Sequence, residues 1–133
     1  MSSLVSRLRN QESGSAAVEF VLVGVLLTTL ALSIIQFGLA LLIRNTIQDA
    51  ASEGARFAAL ADNDLADGVG RTRELITTAL GPTYAMDVAA SYGSYLGFPA
   101  TVVTVKAPLP LIGLIGIDHG LEVTGHASVE TLD

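Results

Sequence analysis

Residues 20–43 read FVLVGVLLTTLALSIIQFGLALLI, a run of 24 residues without an ionisable side chain. A helix rises about 1.5 Å per residue, so the run would extend roughly 36 Å and cross the roughly 30 Å hydrocarbon core of a bilayer with some tilt. The run is also longer than the apolar part of a cleaved secretory signal, which has about seven to fifteen residues. We therefore expect a membrane-spanning helix.

Several residues of this run are small or polar, and Gly24, Thr28 and Ala31 fall near one face of the expected helix. Small residues on one face permit close packing against another helix in a membrane. The same residues also fit a lipid-facing span whose Ser and Thr hydroxyls bond back to their own helix. Both interpretations stay open from the sequence.

One carboxylate, Glu19, stands directly before the apolar run. A charge at the edge of a membrane segment is costly unless it has a partner, so Glu19 is a functional hypothesis. The candidate partner is the amine that cleavage between Gly14 and Ser15 would create, about one helical turn or roughly 6 Å from Glu19. The alternative is that Glu19 lies in the headgroup zone or accepts a proton.

The charges on either side of the run predict its orientation. Arg7 and Arg9 outweigh Glu12 in the short segment before it, whereas the segment after it is acidic. The positive-inside rule then places the N-terminus in the cytoplasm and the later residues outside. We expect a leader at residues 1–14, a transmembrane helix at 15–43 and an extracytoplasmic domain at 44–133.

Helical character continues beyond the bilayer through Leu60. Small and apolar residues recur at three-to-four spacing, which indicates that one long helix enters the outer domain. Because this stripe has little side-chain volume, another element has to approach it closely, either the domain's own sheet or a partner. The stripe consists of Ile47, Ala50, Ala51, Gly54, Ala55 and Ala58.

The remainder of the chain predicts one more helix and a small sheet. Ala61–Gly70 is a break rich in Asp and Gly, and a helix then runs through Leu80, where Gly81-Pro82 stops it. We expect Val69, Ile76, Ala79 and Leu80 on its buried side. Three stretches have the alternation or β-branched content of strands, and Ser91–Pro99 reads as a turn region. This order predicts an α+β fold, with a long N-terminal helix, a second helix and an antiparallel sheet of about three strands. The strand candidates are the alternation Met86, Val88, Ala90, Tyr92, then Ala100–Ala107, then Leu121–Glu130.

Leu109–Ile117, LPLIGLIGI, has no polar side chain and is too short to cross a bilayer. We expect this loop either to dip into the membrane interface, to cover a neighbouring subunit or to be buried under the helix. Pro108 and Pro110 argue against a regular strand there.

Composition and motifs exclude several functions. The chain has 133 residues, a net charge of −6 and no cysteine, so one small domain is expected, without disulfides and without a basic surface for nucleic acid. His119 and His126 lack the spacing of a zinc site and are read as surface residues. No nucleophile elbow or phosphate-binding glycine loop occurs, so we expect no enzyme, no cofactor and no small-molecule substrate.

One weak metal candidate lies in the acidic break. Asp62, Asp64, Asp67 and Glu74 resemble a calcium loop with one extra residue after its second aspartate. The insertion breaks the ligand spacing, and Asp64 fits equally well as a helix cap. Calcium is therefore a minor hypothesis.

These residues together resemble the TadE-like pseudopilins of tight-adherence pili. The resemblance is carried by Gly14-Ser15, by Glu19 with the aromatic Phe20, by Phe37-Gly38 and by the stretch AASEGARFA at 50–58. It covers roughly residues 14–60. The later strands match only in general layout.

The resemblance implies a membrane-stored minor pilin or pseudopilin of a type IV-like adhesive pilus. A prepilin peptidase would remove the leader between Gly14 and Ser15, and Glu19 and Phe20 would set the register against neighbouring pilins. The helix-exit motif Glu53, Gly54 and Arg56 matches the family, and the simplest role of the two charges is to pair with each other. The alternative function is an uncleaved signal-anchored membrane protein whose outer domain binds a ligand.

Overall fold

The computed structural model describes residues 2–109 and 117–129. A long helix and a shorter one precede a 3-10 turn and three strands, and the strands form one antiparallel sheet in the order β1-β2-β3. This arrangement confirms the predicted α+β fold. The elements are α1 (Ser2–Ala59), α2 (Leu65–Leu80), the 3-10 turn (Pro82–Ala85), β1 (Asp87–Tyr95), β2 (Phe98–Leu109) and β3 (Ile117–Ser128).

The chain divides into two units, Met1–Phe37 and Gly38–Asp133. In its described part, the first unit is the N-terminal part of α1. The second unit contains the remainder of α1 together with α2 and the sheet. The division falls within the apolar run.

The core of the second unit is built around the small-residue stripe of α1. All six predicted stripe residues are buried, and Ile47, Ala51 and Ala55 are fully inaccessible. The stripe packs against α2 and the sheet of its own unit, so no partner is needed to cover it. Burial of a side chain such as Ile47 or Ile76 contributes roughly 1.5–3 kcal/mol.

Hydrogen bonds tie α1 to the sheet at two levels. The Thr101 hydroxyl donates to the Ala55 carbonyl oxygen at 2.6 Å, and the Gln48 side-chain amide donates to the Thr124 carbonyl oxygen at 2.9 Å. Thr124 is paired with Thr104 on β2. Since Thr101 lies opposite Ala55 and Thr104 lies near Gln48, β2 runs antiparallel to α1. The start of β2 therefore lies beside the end of α1.

The second helix begins earlier than predicted. α2 starts at Leu65, so the break is confined to the residues around Asp62 rather than extending to Gly70. Asp64 caps the helix, and this cap allows helical structure inside a segment rich in Asp and Gly. The predicted stop at Gly81 is confirmed. Ile76 is fully buried and Val69 and Leu80 are partly buried, as expected, but Ala79 is exposed.

The strands are longer than predicted and the turn region is shorter. β1 and β2 pair without interruption from Asp87↔Lys106 to Tyr95↔Phe98, so the expected turn at 91–99 reduces to Leu96 and Gly97. Met86 precedes β1, and Tyr92 lies within β1 but is exposed.

The third strand and the approach to it also differ from the expectation. β3 starts at Ile117 instead of Leu121, and its buried alternation over Leu121, Val123 and Gly125 is confirmed. Pro108 lies in β2 at a register shift between Ala107 and Leu109, where a residue without an N–H is tolerated. Residues 110–116, on which the membrane-dipping hypothesis rests, lie outside the described residues.

Candidate functional site

The proposed processing and register residues all lie on the first unit of α1. Gly14, Ser15, Glu19 and Phe20 are exposed, and no atom approaches the position that a Cβ on Gly14 would occupy within 4 Å. Ser15 and Glu19 are four residues apart on one helix, so they share a face. In the part of the chain that the structure describes, the ion pair found is Arg71–Glu74, and Glu19 has no charged partner.

The apolar side chains around Glu19 are exposed. Phe20 is 79% exposed, and the large residues that follow it on α1 are exposed as well. An 18-residue window of this helix has a mean hydropathy of 2.4 and is not buried at all. By length and composition α1 can cross a membrane, a test that an N-terminal signal sequence also meets.

One polar residue of the apolar run, Ser33, bonds back to its own helix. The Ser33 hydroxyl donates to the Thr29 carbonyl oxygen at 2.8 Å, which is the bond back to the same helix that one interpretation expected. Gly24 and Gly38 have open space where a Cβ would lie. A second helix could approach closely at both glycines.

In the helix-exit motif, Gly54 is buried, whereas the charged Glu53 and Arg56 are exposed. Gly54 is buried where α1 crosses α2, and a Cβ on it would overlap the Thr72 hydroxyl and lie 2.8 Å from the Gly68 carbonyl oxygen. The Thr72 hydroxyl donates to the Gly68 carbonyl oxygen of its own helix at 2.8 Å and to the Ala50 carbonyl oxygen of α1 at 3.5 Å, so the two helices meet through backbone and small side chains. The glycine of the motif therefore belongs to the fold of the domain.

The two charges of the motif do not form the expected pair. Glu53 and Arg56 are both exposed, and the residues that the structure describes contain no ion pair between them. Exposed i, i+3 pairs contribute little and compete with solvation, so their separation has little cost. Both side chains line an open groove of about 520 Å³ between α1 and α2, with Asp49 on the same side.

Two aspartates of the acidic break cap the start of α2. The Asp67 backbone N–H donates to the Asp64 carboxylate and the Asp64 backbone N–H donates to the Asp67 carboxylate, both at 2.9 Å. Glu74 lies 3.6 Å from Arg71 instead of facing the aspartates. Over residues 2–109 and 117–129, no three His, Cys, Asp or Glu side chains are grouped so that they could hold a metal ion.

The two histidines do not form a joint site in the described structure. His126 is exposed on β3, and its ring stacks on Tyr95 with the centroids 4.8 Å apart and the planes at 18°. The side chain of His119 lies outside the described residues.

Sequence reasoning missed the exposed aromatic residues near the β1–β2 turn. The alternation through Tyr92 predicts a strand but does not show which side chains are covered, and Leu96-Gly97 lacks the Asn or Asp that marks most tight hairpins. The missed signal was a stretch from Val88 to Val105 that carries several aromatic residues and no charge.

Comparison with known proteins adds one finding. Residues 14–56 match the family model described as TadE-like protein. The match begins at Gly14, contains Glu19 and Phe20, and ends at Arg56, the last residue of the helix-exit motif. It supports the resemblance seen in the sequence. No curated protein and no solved structure matches the chain.

Proposed function

We propose that this Tad pilus-related protein, whose residues 14–56 are TadE-like, is a minor pilin or pseudopilin. A prepilin peptidase would process it. In this proposal it is not an enzyme but a subunit that helps to assemble an adhesive, type IV-like pilus. The carrying observation is the family match, which begins at Gly14 and runs through Glu19 and the apolar helix to Arg56.

The local structure around Gly14 supports cleavage at this position. Gly14 and Ser15 are exposed, and no neighbour crowds Gly14. A protease acts on unwound backbone, and glycine costs a helix interior roughly 1 kcal/mol relative to alanine, so the helix opens more easily here. Arg7 and Arg9 in the leader would keep the residues before the cleavage site on the cytoplasmic side.

Cleavage would give Glu19 a partner. The new amine of Ser15 carries a positive charge, and Glu19 has no charged partner among the described residues. In an assembly, the Glu19 carboxylate of one subunit would neutralise the Ser15 amine of a neighbour. Two opposite charges that leave water together fix the axial register of packed helices more reliably than they add stability.

The proposed location follows from the same features. The protein would be stored in the inner membrane through a single α1 span, with the N-terminus in the cytoplasm and the α+β domain outside. From there it would join other pilins, pseudopilins and the assembly machinery, and it could enter the extracellular pilus. The exposed apolar side chains of the first unit would be covered by lipid or by neighbouring helices.

The decisive experiment is N-terminal sequencing after co-expression with a prepilin peptidase. We expect the mature chain to begin at Ser15, and a bulkier residue in Gly14→Val to slow cleavage, with Gly14→Ala giving a smaller effect. A chain that keeps Met1 in the presence of an active peptidase would instead support the uncleaved, signal-anchored alternative.

The role of Glu19 needs a separate readout. Glu19→Gln and Glu19→Ala should be cleaved normally but should assemble poorly, because the amine then lacks its carboxylate. Glu12→Gln is the matched control, since it removes a carboxylate from the leader and should leave assembly unchanged. Normal piliation by Glu19→Gln would contradict the pairing role.

A further inference from the structure

The two edges of the sheet differ in how they are protected. On β3, the Thr124 carbonyl oxygen accepts from the Gln48 side-chain amide of α1 at 2.9 Å, and Glu122 is exposed. β1 forms the other edge, and from Val88 to Tyr95 it has no charged residue and no proline. It also pairs with β2 without interruption. Charges, prolines and bulges are what keep sheet edges from pairing with other strands, and β1 lacks them over these residues.

The hydrogen bonds of β2 show which backbone groups of β1 face away from the sheet. The Val129 N–H donates to the Pro99 carbonyl oxygen at 3.0 Å, so Pro99 directs its backbone toward β3. Successive residues of a strand direct their backbone groups to opposite sides, so Ala100 faces β1, where it pairs with Gly93. Every second residue of β1, counted from Gly93, is therefore bonded to β2, and the residues between them face outward. These outward-facing residues are Val88, Ala90, Tyr92 and Ser94.

Most of these outward-facing residues are accessible. Val88 is buried, but Ala90 is partly exposed, Tyr92 is 63% exposed and Ser94 is exposed. In the part of the chain that the structure describes, no side chain and no further backbone group bonds to the N–H or C=O of the last three. Each of them offers a donor and an acceptor, repeated about every 6.8 Å along the strand. We call Ala90, Tyr92 and Ser94 the open edge.

The repeat of the open edge selects an extended chain as its partner. A strand carries the same N–H and C=O groups at the same spacing, so it can satisfy all of them, as in strand addition to a sheet edge. A small ligand or a lipid has no such repeat. The intervening residues Ala89, Ser91 and Gly93 are small and uncharged. An added strand therefore meets no charge along β1, and uncharged, β-branched residues suit it best.

The charge of the second unit disfavours another copy of this chain as the partner. The first 43 residues carry two arginines and two glutamates, so the whole net charge of −6 lies beyond them, in the unit that contains β1. Two copies joined at β1 would bring these like charges together, which opposes association. The open edge therefore suits a different chain of neutral or positive charge.

We propose that β1 takes up an extended segment of another protein chain as a fourth strand of the sheet. The segment is uncharged and rich in β-branched residues, and it belongs to a neutral or basic partner. Its backbone bonds to the N–H and C=O groups of the open edge.

A labelled peptide tests the open edge. The probe is a fluorescein-labelled peptide that carries ATVVTV, the sequence of residues 100–105, between two pairs of lysines. This sequence already pairs with β1 on its other side, and the lysines keep the peptide soluble. The full-length protein in detergent micelles is titrated into the peptide, and binding is followed by fluorescence anisotropy. A peptide with N-methyl groups on its two adjacent valines is the control, because it keeps the charge but cannot pair along either edge. We expect the first peptide to bind and the control not to bind.

Two variants of one residue locate the binding site. Ser94→Pro removes an outward-facing N–H without touching the ladder to β2, so it should weaken peptide binding roughly tenfold. Ser94→Ala is the matched control, since it keeps the N–H and should bind like the wild type. Melting temperatures show whether both variants fold.

Amide exchange of the wild type, measured by NMR, gives a second readout that needs no variant. Bound peptide should slow exchange at Ala90, Tyr92 and Ser94 and leave Ser91 and Gly93, already bonded to β2, unchanged. Absence of binding, equal binding of the N-methylated peptide or protection that does not alternate along β1 would overturn the proposal. Dimerisation of the protein that Ser94→Pro abolishes would also overturn it, since the open edge would then belong to a second copy.

Discussion

Gly54 lies at a helix crossing where only a residue without a side chain fits. It lies where α1 crosses α2, and the Thr72 side chain and the Gly68 carbonyl oxygen of α2 lie where a Cβ on Gly54 would be. Gly68 meets α1 in the same way, because a Cβ on it would lie 2.6 Å from the Ala58 Cβ. Two glycines facing each other let the helices approach to backbone contact, where dispersion contacts are most numerous.

We therefore predict that Gly54→Ala destabilises the domain by about 1–3 kcal/mol, the usual cost of overpacking. Gly70→Ala is the matched control, since Gly70 also lies inside a helix but has nothing within 4 Å of the position of a Cβ. It should be neutral or stabilising by up to about 1 kcal/mol. Thermal unfolding of the full chain in detergent, followed by circular dichroism, measures both. Equal melting temperatures for wild type and Gly54→Ala would contradict the close crossing.

At the scale of elements, α2 depends on its first turn. Asp64 and Asp67 exchange hydrogen bonds in a capping box, which satisfies two backbone N–H groups that the helix itself leaves free. Both carboxylates are thereby used for the helix, although they are also the central members of the calcium candidate. The helix-cap role and the calcium hypothesis therefore predict different effects of replacing these aspartates.

We expect Asp64→Ala to cost about 1 kcal/mol through loss of the cap, and Asp62→Ala, which removes a neighbouring exposed carboxylate, to cost much less. Melting temperatures with and without calcium measure both effects. Under the cap interpretation, calcium leaves the wild-type melting temperature unchanged and calorimetric titration gives no heat. A rise with calcium that Asp62→Ala removes would favour the metal instead.

The elements also show which features the sequence could predict. The stripe from Ile47 to Ala58 was predicted correctly because helical periodicity depends only on the chain itself. The start of α2 was placed too late, because Asp and Gly are typical of loops, and the Asp-x-x-Asp cap within them carried the better signal. The exposure of Tyr92 could not be predicted, because alternation indicates a strand but does not show which of its side chains another element covers.

The candidate site was predictable to a different extent. Gly14, Glu19 and the apolar run can be identified from the sequence alone, but their roles as a cleavage site, a register charge and a membrane span stay predictions. The role of Gly54 was not predictable, because it depends on which residue of α2 crosses α1. Leu96 was not singled out either, since its unusual φ is a property of the folded turn.

At the scale of the whole molecule, the proposed function places the N-terminal leader and the α+β domain on opposite sides of the membrane. Arg7 and Arg9 precede the apolar run, and the acidic α+β domain follows it. Because translocating two arginines is less favourable than translocating an acidic segment, the leader should stay in the cytoplasm. The chain has no cysteine, so single substitutions can report the location of each side without background labelling.

We predict that Ala66→Cys, exposed on α2, reacts with a membrane-impermeant maleimide in intact spheroplasts. Asn10→Cys, exposed in the leader, should react only after lysis. Both variants are expressed without a prepilin peptidase, so that the leader stays attached. The reverse labelling pattern would invert the orientation and put Gly14 on the wrong side for a cytoplasmic leader. Labelling of both before lysis would mean that α1 does not span the membrane. When the peptidase is restored, the Asn10 label should leave with the leader while the Ala66 label stays, which links the orientation of the chain to its processing.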